Sequence, residues 1–375
     1  MIEHTPYFMI EHDRAHHYQG IVEMLLERND VNSNPVDKSG RALLSLASQG
    51  GSARVVRALL ELSDANPNEA DNSGRTPFSW AAGNGRLRVT EMLLERSDVN
   101  PNTADKSGRT PFSWASEACC VEIMTTLLQR KDVNPDSADN GGRTPLSWAT
   151  GNWQGETVKM LLERKDVNPD SADKSGRTPL SWAVWNGRTV KMLLERRDVN
   201  PDSADKSGRT PLSWAAGNGW RETVNMLLER KDVNPNTVDK SGRSPILWAA
   251  MRGCGGVVGM LLEYNLVNPD TADKSGRTPL SWAAESGHEG IVELLLEQND
   301  VNPDRTDKSG RAPLLWATEK GYKKIANMLL RRSQVYSETT VHRQEWPNLF
   351  HGQPGAGMRN LRTVHRARKA LIMTP

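Results

Sequence analysis

Cysteine and histidine are scarce in this sequence. Three cysteines occur in 375 residues, and two of them, Cys119 and Cys120, are adjacent. Three cysteines cannot form a disulfide framework, and without a CxxC pair they do not indicate zinc binding. Only eight histidines are present, and half of them lie before Tyr18. We therefore expect neither a disulfide-stabilised fold nor a histidine general base in the rest of the chain.

Long hydrophobic runs are also missing. No stretch of 18 apolar residues occurs, so the sequence predicts no membrane span. Residues 1–17, MIEHTPYFMIEHDRAHH, carry charge throughout and lack the apolar segment of a signal peptide. We expect an intracellular protein, cytoplasmic or nuclear, that does not interact with membranes.

Motifs for catalysis and for cofactor binding are absent from the sequence. It contains no nucleophile elbow and no phosphate-binding loop. Asp136 and Asp139 are close together but lack the Asp-x-Asp-x-Asp-Gly pattern and distal glutamate of a calcium loop. His12, His16 and His17 have no cysteine or carboxylate frame around them. We expect no enzyme activity, no cofactor, no metal and no small-molecule substrate.

Charge is unevenly distributed along the chain. Residues 331–375 contain eight Lys or Arg and two Asp or Glu, so the remainder carries −4 within a total of +2. A mildly acidic remainder argues against nucleic-acid binding, except through the basic tail. In that tail, residues 359–372 have apolar residues roughly on one helical face. They fit either a nuclear-import or anionic-surface segment or, in our preferred interpretation, a disordered tail.

The sequence does contain a short unit that is repeated nine times. The octapeptide GRTPLSWA stands at Gly176–Ala183, Gly208–Ala215 and Gly276–Ala283. An aspartate precedes each copy or near copy at a constant spacing, except for one step that is two positions shorter. The nine are Asp37, Asp71, Asp105, Asp139, Asp173, Asp205, Asp239, Asp273 and Asp307. A fixed period of about 34 residues indicates a stacked repeat array.

One repeat, residues 205–235, shows the local structure that the pattern predicts. Asp205 begins a turn, and Thr210-Pro211 supplies an N-cap oxygen and a proline at the first helical position. A short helix follows and ends at residues 217–219, and residues 222–230 form a second helix with one apolar stripe. Neither helix is long enough to be stable alone, so we expect neighbouring repeats to supply each other's core.

The recurring pattern Asp-x-x-Gly-x-Thr-Pro-Leu, Ala-Ala, Gly, Val-x-x-Leu-Leu resembles the ankyrin repeat. The resemblance covers about residues 36–332 and implies an all-α ankyrin-repeat solenoid of stacked antiparallel helix pairs with projecting hairpin loops, here called fingers. It also implies a concave groove that binds proteins. Long arrays with tryptophan after serine also look like the sensor or adaptor portions of fungal intracellular proteins. The serine replaces the usual histidine, as at Ser213, so that histidine's inter-repeat hydrogen bond is in question.

These patterns predict three segments. Residues 1–35 are expected to be a degenerate leading repeat or N-terminal cap, residues 36–332 nine repeats, and residues 333–375 a flexible basic tail. In the short repeat after Asp173, we expect the second helix to start earlier and to leave a dent in the array near Trp185.

A tryptophan stands three positions after the proline at the start of the first helix in eight successive repeats, including Trp182 and Trp214. Such a row could form a platform for a peptide or a sugar. Because the position is fixed, we expect these rings mainly to pack against their counterparts, with their edges in the groove. The near-uniform finger sequence Asp-Lys-Ser-Gly-Arg could bind a periodic ligand through Lys106, Lys174, Lys206, Lys240 and Lys274. We prefer the simpler interpretation that it is a solvated turn copied by duplication.

Positions that differ between repeats are free of stacking constraints and are the better candidates for partner binding. They lie between the two helices and include three tryptophans that would form an apolar patch, since Trp and Arg are frequent interface anchors. With the two ladder tryptophans above, the candidate partner-binding residues are Trp153, Trp185, Trp220, Arg221, Arg252, Glu285 and Lys320.

We therefore expect a monomeric, non-catalytic scaffold or adaptor that binds other proteins. The alternative is the regulatory or sensor portion of a larger protein whose catalytic or nucleotide-binding domain is not in this chain.

Overall fold

The computed structural model describes residues 36–61, 66–264 and 266–344, with side chains up to Ser333. These residues form eighteen α-helices and no β-strand, in nine helix pairs. The expected leading repeat, residues 1–35, and the basic segment at 359–372 lie outside the described residues.

Each repeat contributes a first and a second helix. The first helices are α1 (Leu43–Gly50), α3 (Pro77–Gly83), α5 (Pro111–Glu117), α7 (Pro145–Gly151), α9 (Pro179–Ala183), α11 (Pro211–Asn218), α13 (Pro245–Arg252), α15 (Pro279–Ser286) and α17 (Pro313–Glu319). The second helices are α2 (Ala53–Glu61), α4 (Leu87–Leu94), α6 (Val121–Leu128), α8 (Gly155–Leu162), α10 (Gly187–Glu195), α12 (Arg221–Leu228), α14 (Gly255–Glu263), α16 (Glu289–Leu296) and α18 (Lys323–Gln344).

In six of the nine described repeats the start of the first helix is set by a Thr-Pro pair, as the sequence predicts. In α11 the N–H of Ser213 donates to Thr210 Oγ1 at 3.2 Å, and Pro211 occupies the first turn. The Ser213 hydroxyl lies 3.2 Å from the same threonine oxygen, within its own repeat. The serine that stands in place of histidine therefore supports its own helix start.

The chain divides into two units, residues 1–200 and residues 201–375. In the first unit, α1, α3, α5, α7 and α9 pack in succession, and so do the five second helices beside them. In the second unit, the same arrangement holds for α11, α13, α15 and α17 and for their second helices. Each unit is therefore a stack of helix pairs in which first helices contact first helices.

The core of each unit lies between the helix pairs. Ala115 and Leu127 in the first unit, and Ala215 and Leu227 in the second, are fully buried. Burying one leucine side chain contributes about 1.5–3 kcal/mol. Small residues on the first helix allow close approach, and leucines from the second helix fill the remaining space, so the core belongs to neighbouring repeats jointly.

The fifth repeat absorbs its two-residue deletion between the helices. Helix α9 has five residues, whereas α7 and α11 have seven and eight. Helix α10 starts at Gly187 in the repeat anchored by Asp173. Helix α12 starts at Arg221, two positions further from its own anchor, Asp205. The prediction of an early second helix is confirmed, and the dent in the array stays a prediction.

The last helix continues past the repeat boundary at residue 332 that the sequence pattern gives. Helix α18 extends from Lys323 to Gln344, because residues 333–344 contain neither proline nor glycine. The helical part of the predicted tail is therefore a continuation of the ninth repeat. None of the described helices is long and apolar enough to cross a membrane.

Candidate functional site

The anchoring aspartate of each repeat organises the finger turn. In the third repeat, Asp105 Oδ1 accepts the backbone N–H of Ser107 at 2.9 Å and that of Arg109 at 3.0 Å. Its second oxygen, Oδ2, accepts the indole N–H of Trp114 at 2.9 Å. One carboxylate therefore joins the finger to the first helix. The Trp–Asp bond recurs for Asp71, Asp139, Asp173, Asp205, Asp239, Asp273 and Asp307.

These hydrogen bonds control the ionisation of the aspartates. Burial raises the pKa of Asp205, but hydrogen bonds from Ser207, Arg209 and Trp214 outweigh that effect and hold the pKa below its usual value. The same balance lowers the pKa of Asp273. These two anchors are therefore ionised at neutral pH and committed to the fold.

The finger arginine packs between the tryptophans of successive repeats. The guanidinium carbon of Arg109 lies 3.6 Å from the ring centre of Trp114 and 4.1 Å from that of Trp148 in the next repeat. In the second unit, Arg277 lies 3.9 Å from the ring of Trp282 and 4.0 Å from that of Trp316. A cation over an indole face contributes about 0.5–2 kcal/mol, most when desolvated.

This alternation corrects two of our expectations. The ladder tryptophans do not pack directly on their counterparts, because a guanidinium lies between consecutive rings. Trp182 follows the pattern with Arg143 at 3.6 Å, and Trp214 with Arg209 at 3.6 Å. The finger is also not a simple solvated turn, because its aspartate and arginine are largely buried.

The finger arginines that pack between the tryptophans are here called the arginine column. Burial changes their ionisation. Loss of hydration lowers the pKa of Arg75 to about 10, although Asp105 and Asp71 oppose the shift. Other members gain a direct anionic partner: Arg109 Nη2 lies 2.5 Å from Glu117, and Arg277 pairs with Glu285. Glu285, one of the candidate partner-binding residues, is thus paired within its own repeat, and its role in partner binding stays a prediction.

The arginine column was missed by the sequence analysis, although the signal was present. Arg stands at the end of the finger in all nine repeats, as at Arg41 and Arg311, whereas the lysine beside the aspartate becomes Asn72 and Asn140 in two of them. Duplication of the repeat alone would leave the lysine position and the arginine position equally uniform. The difference between them separates a stacking residue from an exposed one.

The turn between the two helices presents exposed tryptophans in the first unit. Trp153 is 63% exposed and has φ of +62°, in the left-handed region. At the equivalent place most repeats have glycine, such as Gly85 or Gly219, and one has Cys119 with φ of +58°. Trp185, two positions before α10 as Trp153 is before α8, is 46% exposed.

The other candidate residues of the turns lie at the ends of helices. Trp220 is half-buried at the start of α12, and Arg221 is exposed with its side chain close to Gly256 of the next repeat. Arg252 and Lys320 are exposed at the ends of their first helices. Of the predicted turn residues, the structure therefore exposes Trp153, Trp185, Arg221, Arg252 and Lys320.

A groove of about 600 Å³ lies along the fingers of the second unit. Lys240, Lys274 and Lys308 line it beside the edges of Trp282 and Trp316. The three lysines are exposed, and within the described part of the chain none has a carboxylate in ion-pair distance. This groove therefore presents three exposed cations beside two tryptophans.

A second row of carboxyl groups lies in the loops that join the repeats. Asp136 Oδ2 accepts the N–H of Asn168 at 2.7 Å, and Asp170 Oδ2 accepts that of Asn200 at 2.8 Å. Their Oδ1 atoms are buried without a partner among the described residues. Burial raises the pKa of both aspartates. At the same position Asn102 donates to the Asp132 carbonyl at 2.5 Å.

Comparison with known proteins agrees with this geometry. A model of ankyrin repeats matches overlapping segments 12–105, 62–139, 97–173, 114–203, 188–273 and 263–339. Among solved structures, the chain is similar to the ankyrin repeat domain of Bcl-3, described as a unique member of the IkappaB protein family. That match has 24% identity and a TM-score of 0.53, and it covers 60% of this chain and 99% of that one.

At this identity the likeness to Bcl-3 shows the fold alone. A search of the curated proteins found no match. The family match, the repeated helix pairs and the recurring Asp-Arg-Trp arrangement lead to one conclusion: the chain belongs to the ankyrin-repeat family.

Proposed function

We propose that this protein is a non-catalytic scaffold that binds partner proteins through the surface formed by its fingers and through the turns between paired helices. Ankyrin repeats are generally protein-interaction modules. A stack of rigid repeats holds its surface residues in place before binding, which lowers the ordering entropy lost on association.

The observation that carries this proposal is Trp153. It combines a left-handed backbone with a side chain that is 63% exposed. A left-handed conformation costs a non-glycine residue about 1–2 kcal/mol. Cys119 and several glycines share this backbone conformation at the equivalent place, so the feature that distinguishes Trp153 is the exposed indole that the turn carries despite this cost. A rigid exposed indole suits an interface anchor.

Trp185 extends the surface to the next repeat. It occupies the same place relative to its second helix and is 46% exposed. Two large aromatic side chains at successive turns of the first unit favour an apolar contact with a protein over binding of a small polar ligand. We call Trp153 and Trp185 the turn pair.

Free cysteines support an intracellular location in this proposal. Cys119, Cys120 and Cys254 are all unpaired thiols.

The Cys120 thiol is not set up for catalysis. Burial, followed by the neighbouring Cys119 and Glu122, raises its pKa to about 11. The thiol is therefore protonated at neutral pH and is a poor nucleophile, which fits a scaffold better than a thiol enzyme.

The test compares Trp153→Gly with Cys119→Gly. Both changes place glycine at a left-handed position, but only the first removes an exposed indole. The bait protein is expressed in cells, cross-linked and purified, and bound proteins are quantified by mass spectrometry. We expect Trp153→Gly to lose specific partners by at least tenfold, while Cys119→Gly keeps them. Identical partner profiles for the two variants would overturn the role of the turn pair.

A further inference from the structure

The finger lysines of the second unit form a row with fixed geometry. The backbone N–H of Lys274 donates to Ser241 in the preceding finger at 2.9 Å, and Lys308 donates to Ser275 at 2.9 Å. These bonds lock each finger to its neighbour. The backbone positions of the lysines along the row are therefore set by contacts between neighbouring fingers.

The spacing of the row follows from the stacking of the repeats. The first helices α13, α15 and α17 pack in succession, and packed helices lie about 8–10 Å apart. One repeat therefore advances the row by about 9 Å.

The net charge of the face comes from the lysines. The carboxylates of Asp273 and Asp307 accept hydrogen bonds from Trp282 and Trp316 at 3.0 and 3.2 Å. The guanidinium of Arg277 is paired with Glu285. Among the residues that line the groove, the negative charges of the two aspartates are matched by Arg243 and Arg277, so the three exposed lysines supply its excess positive charge.

We infer that this groove binds an acidic peptide in the polyproline II conformation with a carboxylate at every third residue. Polyproline II has three residues per turn and rises about 3.1 Å per residue, so every third side chain recurs on one side after about 9.3 Å. That interval matches the lysine row. Aromatic edges such as those of Trp282 and Trp316 are the usual lining of grooves that take this conformation.

Other regular conformations fit the row less well. Side chains on one face of a β-strand recur after about 6.6 Å or about 13 Å. On an α-helix the nearest match on one face is every seventh residue, about 10.5 Å, which drifts by about 1.5 Å per repeat. The inference rests on the proposed function, since it names the chemistry of one class of protein partner.

The experiment uses the full chain and two fluorescein-labelled peptides of identical composition. One repeats Glu-Pro-Pro four times, and the other places its four glutamates together before eight prolines. Fluorescence anisotropy should show the regular peptide binding at least tenfold more tightly. Its affinity should also fall as salt is raised from about 50 to about 300 mM, because exposed ion pairs are screened (a Debye length of about 10 Å at 0.1 M).

A triple variant tests the lysines directly. Lys240→Asn, Lys274→Asn and Lys308→Asn place the residue that the chain itself uses at Asn140, where the amide donates to the preceding finger at 2.9 Å. The control removes three exposed lysines elsewhere: Lys159→Gln, Lys191→Gln and Lys231→Gln. The finger variant should lose at least tenfold in affinity and the control less than twofold, with matching circular dichroism spectra and melting temperatures.

Equal affinity for the two peptides, or an equal loss in the two variants, would overturn the inference. So would tighter binding of a helical peptide with glutamate at every seventh residue, or of a single-stranded oligonucleotide. Loss of partners from Trp153→Gly alongside any of these results would leave the scaffold function standing. Failure of both experiments would remove the scaffold proposal as well.

Discussion

Arg109 lies directly over Trp114, with 3.6 Å between its guanidinium carbon and the ring centre, and its charge is matched by Glu117 at 2.5 Å. The same guanidinium contacts Trp148, so one side chain joins two repeats. The arrangement makes the finger arginine a structural residue of the stack, although it belongs to a loop.

The first prediction concerns this arginine. Arg109→Ala should lower the free energy of unfolding by about 2–3 kcal/mol, because two cation–π contacts and a charge-assisted hydrogen bond are lost. Arg109→Lys should restore little, since an ammonium group cannot stack between two rings as a planar guanidinium does. Urea unfolding followed by circular dichroism measures both.

Lys106→Asn is the control for the same finger, because its side chain is exposed and asparagine occurs at that position in other repeats. It should change stability by less than about 0.5 kcal/mol. A loss as large as that of Arg109→Ala would show that the finger responds to any substitution.

The second prediction concerns backbone strain. Trp153→Gly should raise the free energy of unfolding by up to about 1 kcal/mol, because relief of the left-handed strain exceeds the entropy that glycine adds to the unfolded chain. Stability would then increase while partner binding decreases. A lower melting temperature for this variant in differential scanning calorimetry would contradict the strain argument.

The third prediction concerns the loop aspartates. The pKa of Asp136 is raised in the folded state, first by burial and then by Asp166, against the effects of the Asn168 N–H and Arg196. Its favourable contribution is therefore complete below the unfolded pKa near 3.8 and is lost as the pH rises through the folded pKa. Asp136→Asn should stabilise the protein at pH 7 by about 1 kcal/mol, because an amide can donate where the carboxylate cannot.

At pH 3 the difference between Asp136→Asn and the unmodified protein should shrink, because the aspartate is then protonated. Unfolding in urea across pH 3–7 measures the trend. Asn102→Asp is the reverse substitution, and it should destabilise at pH 7 because Asn102 would lose its bond to the Asp132 carbonyl. A pH-independent difference would show that ionisation is not the cause.

The fourth prediction concerns an anchoring aspartate, where the sign is opposite. The folded-state pKa of Asp205 is lowered, because hydrogen bonds from Ser207, Arg209 and Trp214 outweigh burial. Its stabilising contribution is present above the unfolded pKa near 3.8 and is lost as the pH falls through the folded pKa. Asp205→Asn should be less stable by about 1–2 kcal/mol at pH 7 and close to the unmodified protein at pH 2. Urea unfolding at the two pH values measures the change, and an equal deficit at both would contradict the role of ionisation.

Much of the fold followed from local sequence signals. The Thr210-Pro211 helix start, the anchoring turn at Asp205 and the early start of α10 depend on residues close in the chain, and each was predicted and found. The contacts between repeats were harder to predict. The position of Arg109 between two rings and the pairing of Glu285 with Arg277 require the packed geometry of the stack, which residue spacing alone does not supply.

For the same reason, the sequence indicated some features of the candidate binding surface and not others. Exposure of Trp153 and Trp185 agrees with their irregular positions in the repeat pattern. Their role in binding stays a prediction. A periodic ligand at Lys274 and the other finger lysines was considered but not preferred, because a lysine in a repeated turn is indistinguishable by sequence from an ordinary solvated residue.

Within each unit, the arginine of one repeat contacts the tryptophan of the next, as Arg75 contacts Trp114 and Arg277 contacts Trp316. The two halves of every such junction are therefore interchangeable from one copy to the next. A gene that gains or loses whole copies of the unit would recreate the same contact at the new joint, so lineages carrying this protein can change the length of the array without inventing a single new interface.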